Sequence, residues 1–201
     1  MLDEVIKKQI DRDVLDFLQF AYFGNRSNPL VAAGNRAYLD MNRTIRFHGL
    51  SSFVRQELKE QILATFDREL PVLTSSVVHS RTAFDNWHQQ VCRQIRDIYI
   101  QQGIKFTYGQ AQKWLNMTIK YLYMLEVCNF DQIFPYLHVP IDRYIFDVVQ
   151  LELGIERPVE AWSRWDDYDQ YLSYQKAIRE KMTDFTPLRW EFRNWLRVIE
   201  G

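Results

Sequence analysis

The sequence predicts an all-α protein of seven or eight helices. Apolar residues recur at intervals of three and four along most of its length, the signature of helices with one inward face. Capping residues, glycines and prolines punctuate these runs where helices should begin and end. The single strand candidate, Val72 to His79, is isolated, and one strand has nothing to pair with, so it reads as a buried connection. With 201 residues, 47% hydrophobic content and 30 aromatics, the chain has material for a real core, as a single domain over 1–201 built as one body or as two small lobes around a cleft.

The first helix spans Leu2 to Tyr22, with Leu2, Val5, Ile6, Ile10, Val14, Leu15, Leu18 and Tyr22 at helical spacing and Gly24 as its stop. Gly24 to Thr44 is rich in Asn, Arg and Gly and suits turns plus one short helix around Arg36 to Met41. Ser51 or Ser52 caps the next helix, whose inner face carries Phe53, Val54, Leu58, Ile62, Leu63 and Phe66, with Pro71 just beyond its end. Thr82 or Asp85 opens a helix carrying Phe84, Trp87, Val91, Ile95, Ile98 and Tyr99 and closed by Gly103. A hairpin-like segment, GIKFTYG, leads into a helix capped by Thr107 with Ala111, Leu115, Ile119 and Leu122 inward. Ile141 to Leu151 forms a helix ending at Gly154, Ser163 caps another carrying Tyr168, Tyr171, Leu172, Gln175 and Ile178, and Thr186-Pro187 starts the last, with Leu188, Phe192, Trp195, Leu196 and Ile199 inward.

Composition narrows the function classes. Two cysteines, Cys92 and Cys128, make neither a disulfide framework nor a four-ligand zinc site, which suits a reducing, cytoplasmic setting. Asp3 and Glu4 stand where a secretory leader is basic, and no run is long and apolar enough to span a membrane. Phosphate loops, nucleophile elbows and zincin motifs are absent from the sequence, and His88 with Cys92 lacks further ligands, so no metal and no cofactor is implied.

Two segments carry chemistry. Lys113, Asn116 and Lys120 are spaced to share one face of their helix, opposite the apolar stripe and flanked by Trp114, Met117 and Tyr121. Such a stripe faces solvent or a cleft. Farther on, Asp142 in His138-Val139-Pro140-Ile141-Asp142-Arg143 follows a turn at a helix start, where backbone amides and the helix dipole favour its anionic form. A carboxylate so placed suits stabilisation of an oxocarbenium-like sugar, and a neutral lysine nearby could attack the anomeric carbon.

The order helix, Gly-containing turn (Lys105-Phe106-Thr107-Tyr108-Gly109), helix, then Val139-Pro140-Ile141-Asp142 resembles the helix-hairpin-helix superfamily of DNA glycosylases, over a segment of about 84–151. The resemblance implies an enzyme excising a modified or damaged base by N-glycosidic cleavage, in DNA repair or antiviral defence against phage. Asp142 would serve the sugar and Lys113, four positions after the hairpin glycine where the family lysine usually sits two after it, would form a Schiff base in a lyase step. Gly109 and its neighbouring amides would hold a DNA phosphate, with Gln110, Gln112, Asn116, Lys120 and Arg143 as further DNA contacts.

Charge distribution permits DNA as a partner. Over Arg81 to Leu125 six basic residues face two acids, whereas over Glu152 to Asp169 six acids face two arginines, an acidic part that DNA binding would turn away. Asn25 and Asn28, in a stretch with Arg26, Arg36 and Arg43, offer hydrogen-bonding edges for a base pocket, and Phe23, Tyr38, Trp114 and Tyr121 are aromatics that could stack a flipped base or simply fill the core. The alternative from another class is a non-catalytic all-α module that binds protein, through the Trp/Tyr-rich C-terminal region, or nucleic acid.

Overall fold

The computed structural model describes residues 11–74, 78, 80–182 and 185–200, and these fold as eight α-helices with three short 3-10 turns and no strand among the described residues. The helices are α1 (Arg12–Phe23), α2 (Pro29–Met41), α3 (Ser52–Thr74), α4 (Arg81–Ile100), α5 (Tyr108–Met124), α6 (Arg143–Leu153), α7 (Tyr168–Lys181) and α8 (Pro187–Glu200). The 3-10 turns occupy Asn42–Thr44, Phe134–Tyr136 and Trp162–Arg164. None of the helices is long and apolar enough to cross a membrane.

Helix α5 is the axis of the molecule. It begins with a reciprocal capping box, Thr107 Oγ1 accepting from the Gln110 amide and Gln110 Oε1 from the Thr107 amide. Every residue from Gly109 to Leu122 is buried. The polar stripe expected to face solvent or a cleft is therefore enclosed: α2 covers one side of the helix, α4 and α7 another, and the Trp162–Arg164 turn its N-terminal end. Close approach of α2 depends on the small residues Ala33, Gly34 and Ala37, and Trp114 Nε1 donates to the Gly34 carbonyl at 2.9 Å. A Cβ on Gly34 would sit 2.3 Å from Leu63 of α3, so the glycine also sets the α2–α3 spacing. One continuous apolar cluster runs from Ala33 through α3, α4 and α5 to Trp190.

Several boundaries differ from those the sequence suggests. The Asn/Arg/Gly-rich stretch holds a full helix, α2, because Asn28 caps it and Pro29 takes its first position, where a missing N–H costs nothing. Pro71 lies inside α3 instead of beyond it. Ser80, not Thr82 or Asp85, caps α4, and Asp167, not Ser163, caps α7, since Ser163 belongs to a separate 3-10 turn. Asp142 caps α6, which ends at the left-handed Gly154. Helix α1 inverts the expected packing: Gln19 is buried, while Val14, Phe17, Leu18 and Phe20 are exposed. Gln19 Nε2 donates to the Met124 carbonyl at 2.9 Å, and its amide oxygen accepts from Arg26. Phe53, placed inward by spacing, is exposed too. Val72, Leu73 and Thr74, read as part of a buried connection, end helix α3, whereas residues 75–77 and 79, Leu2, Val5, Ile6 and Ile10, and the side chains of Leu196 and Ile199 lie outside the described residues.

Candidate nucleic-acid interface

The polar residues of α5 divide into two groups, one holding the core together and one shaping a surface cleft. Asn116 Oδ1 accepts from His88 Nε2 at 3.0 Å, while its amide nitrogen donates to Gln112 Oε1 at 3.1 Å and to the Tyr171 hydroxyl at 2.9 Å. Gln112 staples the segment before α6, donating to the Ile141 carbonyl at 2.9 Å and accepting from the Ile141 amide at 3.2 Å. Tyr171 donates to His138 Nδ1 at 2.7 Å, and His138 Nε2 donates to Asp85 at 2.8 Å. Arg179 completes the chain with two bonds to Asp85, at 2.7 and 3.2 Å.

Burial holds His138 neutral, down to about 4, with Arg179 adding to the effect and Asp85 opposing it. Burial likewise drives His88 well below its ordinary value, helped by His138. For Asp85 burial alone would favour the neutral acid, but hydrogen bonds from His138 and Arg179 outweigh it and keep the carboxylate ionised. Burial pushes the Cys92 thiol up, so this cysteine, 3.6 Å from His88, is an inert core group. Apart from Arg179 Nε, the buried polar atoms of this network have partners, and such a network fixes helix register and offers little to solvent.

The two α5 lysines are also committed. Lys113 Nζ donates to Asp142 Oδ2 at 2.7 Å, with side chains 5% and 18% exposed, and Asp142 Oδ1 accepts from the Ile145 amide at 2.8 Å. Lys120 pairs with Glu191 at 2.7 Å and lies over Phe192 and Trp195. Gly109, expected to offer its amide to a phosphate, donates it to the Trp165 carbonyl at 2.9 Å. A Cβ there would fall 1.7 Å from the Trp162 carbonyl oxygen, so close packing is what requires this glycine. Arg143 is exposed on the first turn of α6, beside Tyr144.

The surface group is built on the capping box of α5. Gln110 Nε2 reaches across to the Thr44 carbonyl at 2.8 Å and its hydroxyl at 3.0 Å, and Thr107 Oγ1 donates to the Ser163 carbonyl at 2.9 Å. These bonds hold the segment after α2 and the Trp162–Arg164 turn on either side of the α5 start. Between them opens a cleft of about 610 Å³. Arg43, Arg46 and His48 line one wall, Ser163, Arg164 and Glu160 the other, and Lys105 joins Thr107 and Gln110 between them.

Four permanent cations thus face one carboxylate, and Arg43, Arg46 and Arg164 form no ion pair among the described residues. Lys105 is 3.9 Å from Asp166, whose other oxygen takes Arg96 at 2.6 Å. With little opposing charge and walls of low polarisability, the cleft concentrates positive potential. The α5 amides at its floor are already bonded, so an anion would be met by side chains.

Among known proteins, no family model, no characterised sequence and no solved structure matches this chain.

The proposed base-pocket residues do not gather on the cleft. Asn25 closes a turn onto the Ser27 amide, and Asn28 is spent as the α2 cap. Phe23 packs edge-on against Tyr121, whose hydroxyl donates to Asp40, and Tyr38 packs on the fully buried Trp114. Of the residues singled out from the sequence as DNA contacts, Gln110 alone lines the cleft, where Arg43 and Lys105 from the basic stretches join it. Arg46, His48 and Arg164 were not singled out, and Arg164 and Glu160 belong to the acidic stretch expected to turn away. Arginines next to turn-forming residues, Arg43 and Arg46 around Thr44 and Arg164 after Ser163, were the available signal.

Proposed function

We propose that this chain binds nucleic acid, DNA in the first instance, by gripping its phosphate backbone in the cleft at the start of α5. The observation that carries this reading is the convergence of Arg43, Arg46, Lys105 and Arg164 on one cavity, with Glu160 the one carboxylate among its described lining residues and Asp166 beside Lys105. Thr44, Thr107, Gln110 and Ser163 add neutral donors of the kind that position a backbone. Among the described residues that line the cleft there is no Phe, Tyr or Trp, and His48 is its one aromatic ring, which favours contacts to phosphate over stacking of bases. Binding should weaken steeply with salt, the log–log slope falling by about 0.9 per phosphate neutralised. Fluorescence anisotropy with a labelled duplex at several salt concentrations tests this. Arg43→Gln/Arg46→Gln should lower the slope by about two. An unchanged slope and affinity in that variant would sink the reading.

A second reading, excision of a modified base, draws support from the meeting of Lys113 and Asp142 at a helix start and from the glycosylase resemblance. In it the N-glycosidic bond breaks with its electron pair leaving on the base nitrogen, which is then protonated. Ionised Asp142 stabilises the sugar cation until water adds to the anomeric carbon and passes its proton to Asp142, or until Lys113, its ammonium proton given to the departing base, adds as the amine and releases a proton to Asp142. The pair must first open to admit a nucleotide. Incubation with oxidised and phage-modified DNA, followed by alkali, tests for cleavage, and borohydride trapping tests for the lysine adduct. Full excision by Asp142→Asn would remove Asp142 from the reaction.

A further inference from the structure

Helix α1 is amphipathic, and it meets the rest of the molecule with its polar side. Arg12 pairs with Glu126 at 2.8 Å, Gln19 is buried and donates to the Met124 carbonyl at 2.9 Å, and Asp16 holds Arg26 of the following loop at 3.2 Å. The opposite side carries Val14, Phe17, Leu18 and Ala21 at positions i, i+3, i+4 and i+7, with Phe20 alongside. All five are exposed, Phe17 to 68% and Phe20 to 57%. In the single chain the apolar stripe of this helix therefore meets water.

With Tyr22, also exposed, these side chains leave on the order of 600 Å² of mainly apolar surface open on each chain, as large as the patches that mark interaction sites. Two such faces laid together remove roughly 1,200 Å² from water, the area at which specific protein–protein interfaces begin.

Charge selects the occupant. Asp11 and Asp13 stand at the start of α1, exposed and without an ion pair among the described residues, and Arg12 is the one cation of the helix. An anionic lipid surface, which takes helices flanked by Lys and Arg, is repelled by such a face. At the other end of α1, Arg36 lies 4.4 Å over the Tyr22 ring, partly exposed and no nearer than 3.6 Å to Asp40, whose other oxygen serves Tyr121. The face is thus acidic at its start and basic at its end, and it complements a copy of itself turned end for end. Parallel pairing would set acid against acid, whereas antiparallel pairing also opposes the helix dipoles.

We infer that α1 is a dimerisation element: two copies of this chain pair through it, antiparallel, about a two-fold axis passing between Phe17 and Leu18. Val14 then packs on the partner's Ala21, whose small side chain admits close approach, and Asp13 comes opposite the partner's Tyr22 and the partner's Arg36. Both chains use the same patch, so the contact closes on itself and assembly stops at two.

The test is sedimentation equilibrium of the full chain over a range of concentration, in which the mass should rise from 24.3 kDa toward twice that value. Phe17→Lys, at an exposed position, should leave the circular dichroism of the dilute chain unchanged and weaken the dimer at least tenfold. Deuterium exchange of the α1 amides, fast in the dilute chain, should slow as concentration rises. Under an added oxidant, chains carrying Val14→Cys and chains carrying Ala21→Cys, each with Cys128→Ser, should crosslink with one another and not with their own kind. A mass of one chain at every concentration, or a dimer indifferent to Phe17→Lys, overturns the proposal. Self-association that appears only once residues 1–10 are deleted overturns it too and assigns the face to that segment, and crosslinking between like chains overturns the antiparallel arrangement.

Discussion

Lys113 and Asp142, 29 positions apart in the chain, form a 2.7 Å ion pair in which the carboxylate's other oxygen caps α6. The pair is therefore asymmetric: Asp142 serves two partners and Lys113 one. Asp142→Ala leaves a buried ammonium unpaired and uncaps a helix, and should cost about 3–4 kcal/mol. Lys113→Met leaves the cap in place beside a carboxylate that retains some solvent, and should cost about 1 kcal/mol. Urea denaturation of the two variants measures the difference, and equal losses would refute the asymmetry.

Gly109→Ala places a methyl carbon 1.7 Å from a backbone carbonyl oxygen, which cannot move aside as a flexible side chain would. The α5 start must shift away from the Trp162–Arg164 turn, at a cost of roughly 3 kcal/mol or more. Thermal unfolding should show a melting temperature lower by roughly 6 °C or more, given the scaling for a chain of about 200 residues. A fall below one degree would contradict the close packing.

Acid should destabilise the fold before most carboxylates titrate. His138 has a folded value of about 4 against an ordinary 6.5, so the unfolded chain takes up a proton that the folded chain refuses. Its contribution is fully present above pH 6.5 and is lost as pH falls toward 4, a change of about 3 kcal/mol. His88 shifts in the same direction. The lowered Asp85 adds a further loss, of the same sign, as pH falls below its ordinary carboxylate range. Stability measured by urea between pH 7 and 4 should decline throughout, and a flat profile would mean the histidines are not held neutral.

Gln110→Ala should affect stability and binding together. It removes half of the α5 capping box and the tether to Thr44 that holds the Arg43–Arg46 wall. A stability loss of about 1–2 kcal/mol is expected, with weaker binding of duplex DNA. Unchanged affinity at a reduced stability would separate the tether from the cleft.

Helix positions were legible where an apolar stripe coincided with a cap, as at Thr107 and Gly154. Only the second half of α2, Arg36 to Met41, was legible as helix, because Asn28-Pro29 and Gly34-Asn35 read as turn, although Asn28-Pro29 is a helix start and Gly34 is required by close packing. The polar face of α5 was visible as a periodicity, but its destination was not. Asn116 finds His88, Gln112 finds Ile141 and Lys120 finds Glu191, 28, 29 and 71 positions away. Helical spacing cannot tell a polar stripe that meets water from one that meets another polar stripe. The cleft was harder still, because its cations come from three separate segments brought together by hydrogen bonds to a single glutamine and a single threonine.

Enclosure of α5 from Gly109 to Leu122 makes the chain indivisible. Truncation that removes α2 uncovers Trp114, and truncation after α6 leaves Asn116 without Tyr171 and Lys120 without Glu191. No fragment on either side of such a cut retains a closed interior. The α5 amides should therefore exchange with deuterium last, at the rate of whole-molecule opening, while those of α1, which shows Phe17 and Phe20 to solvent, exchange through local fraying.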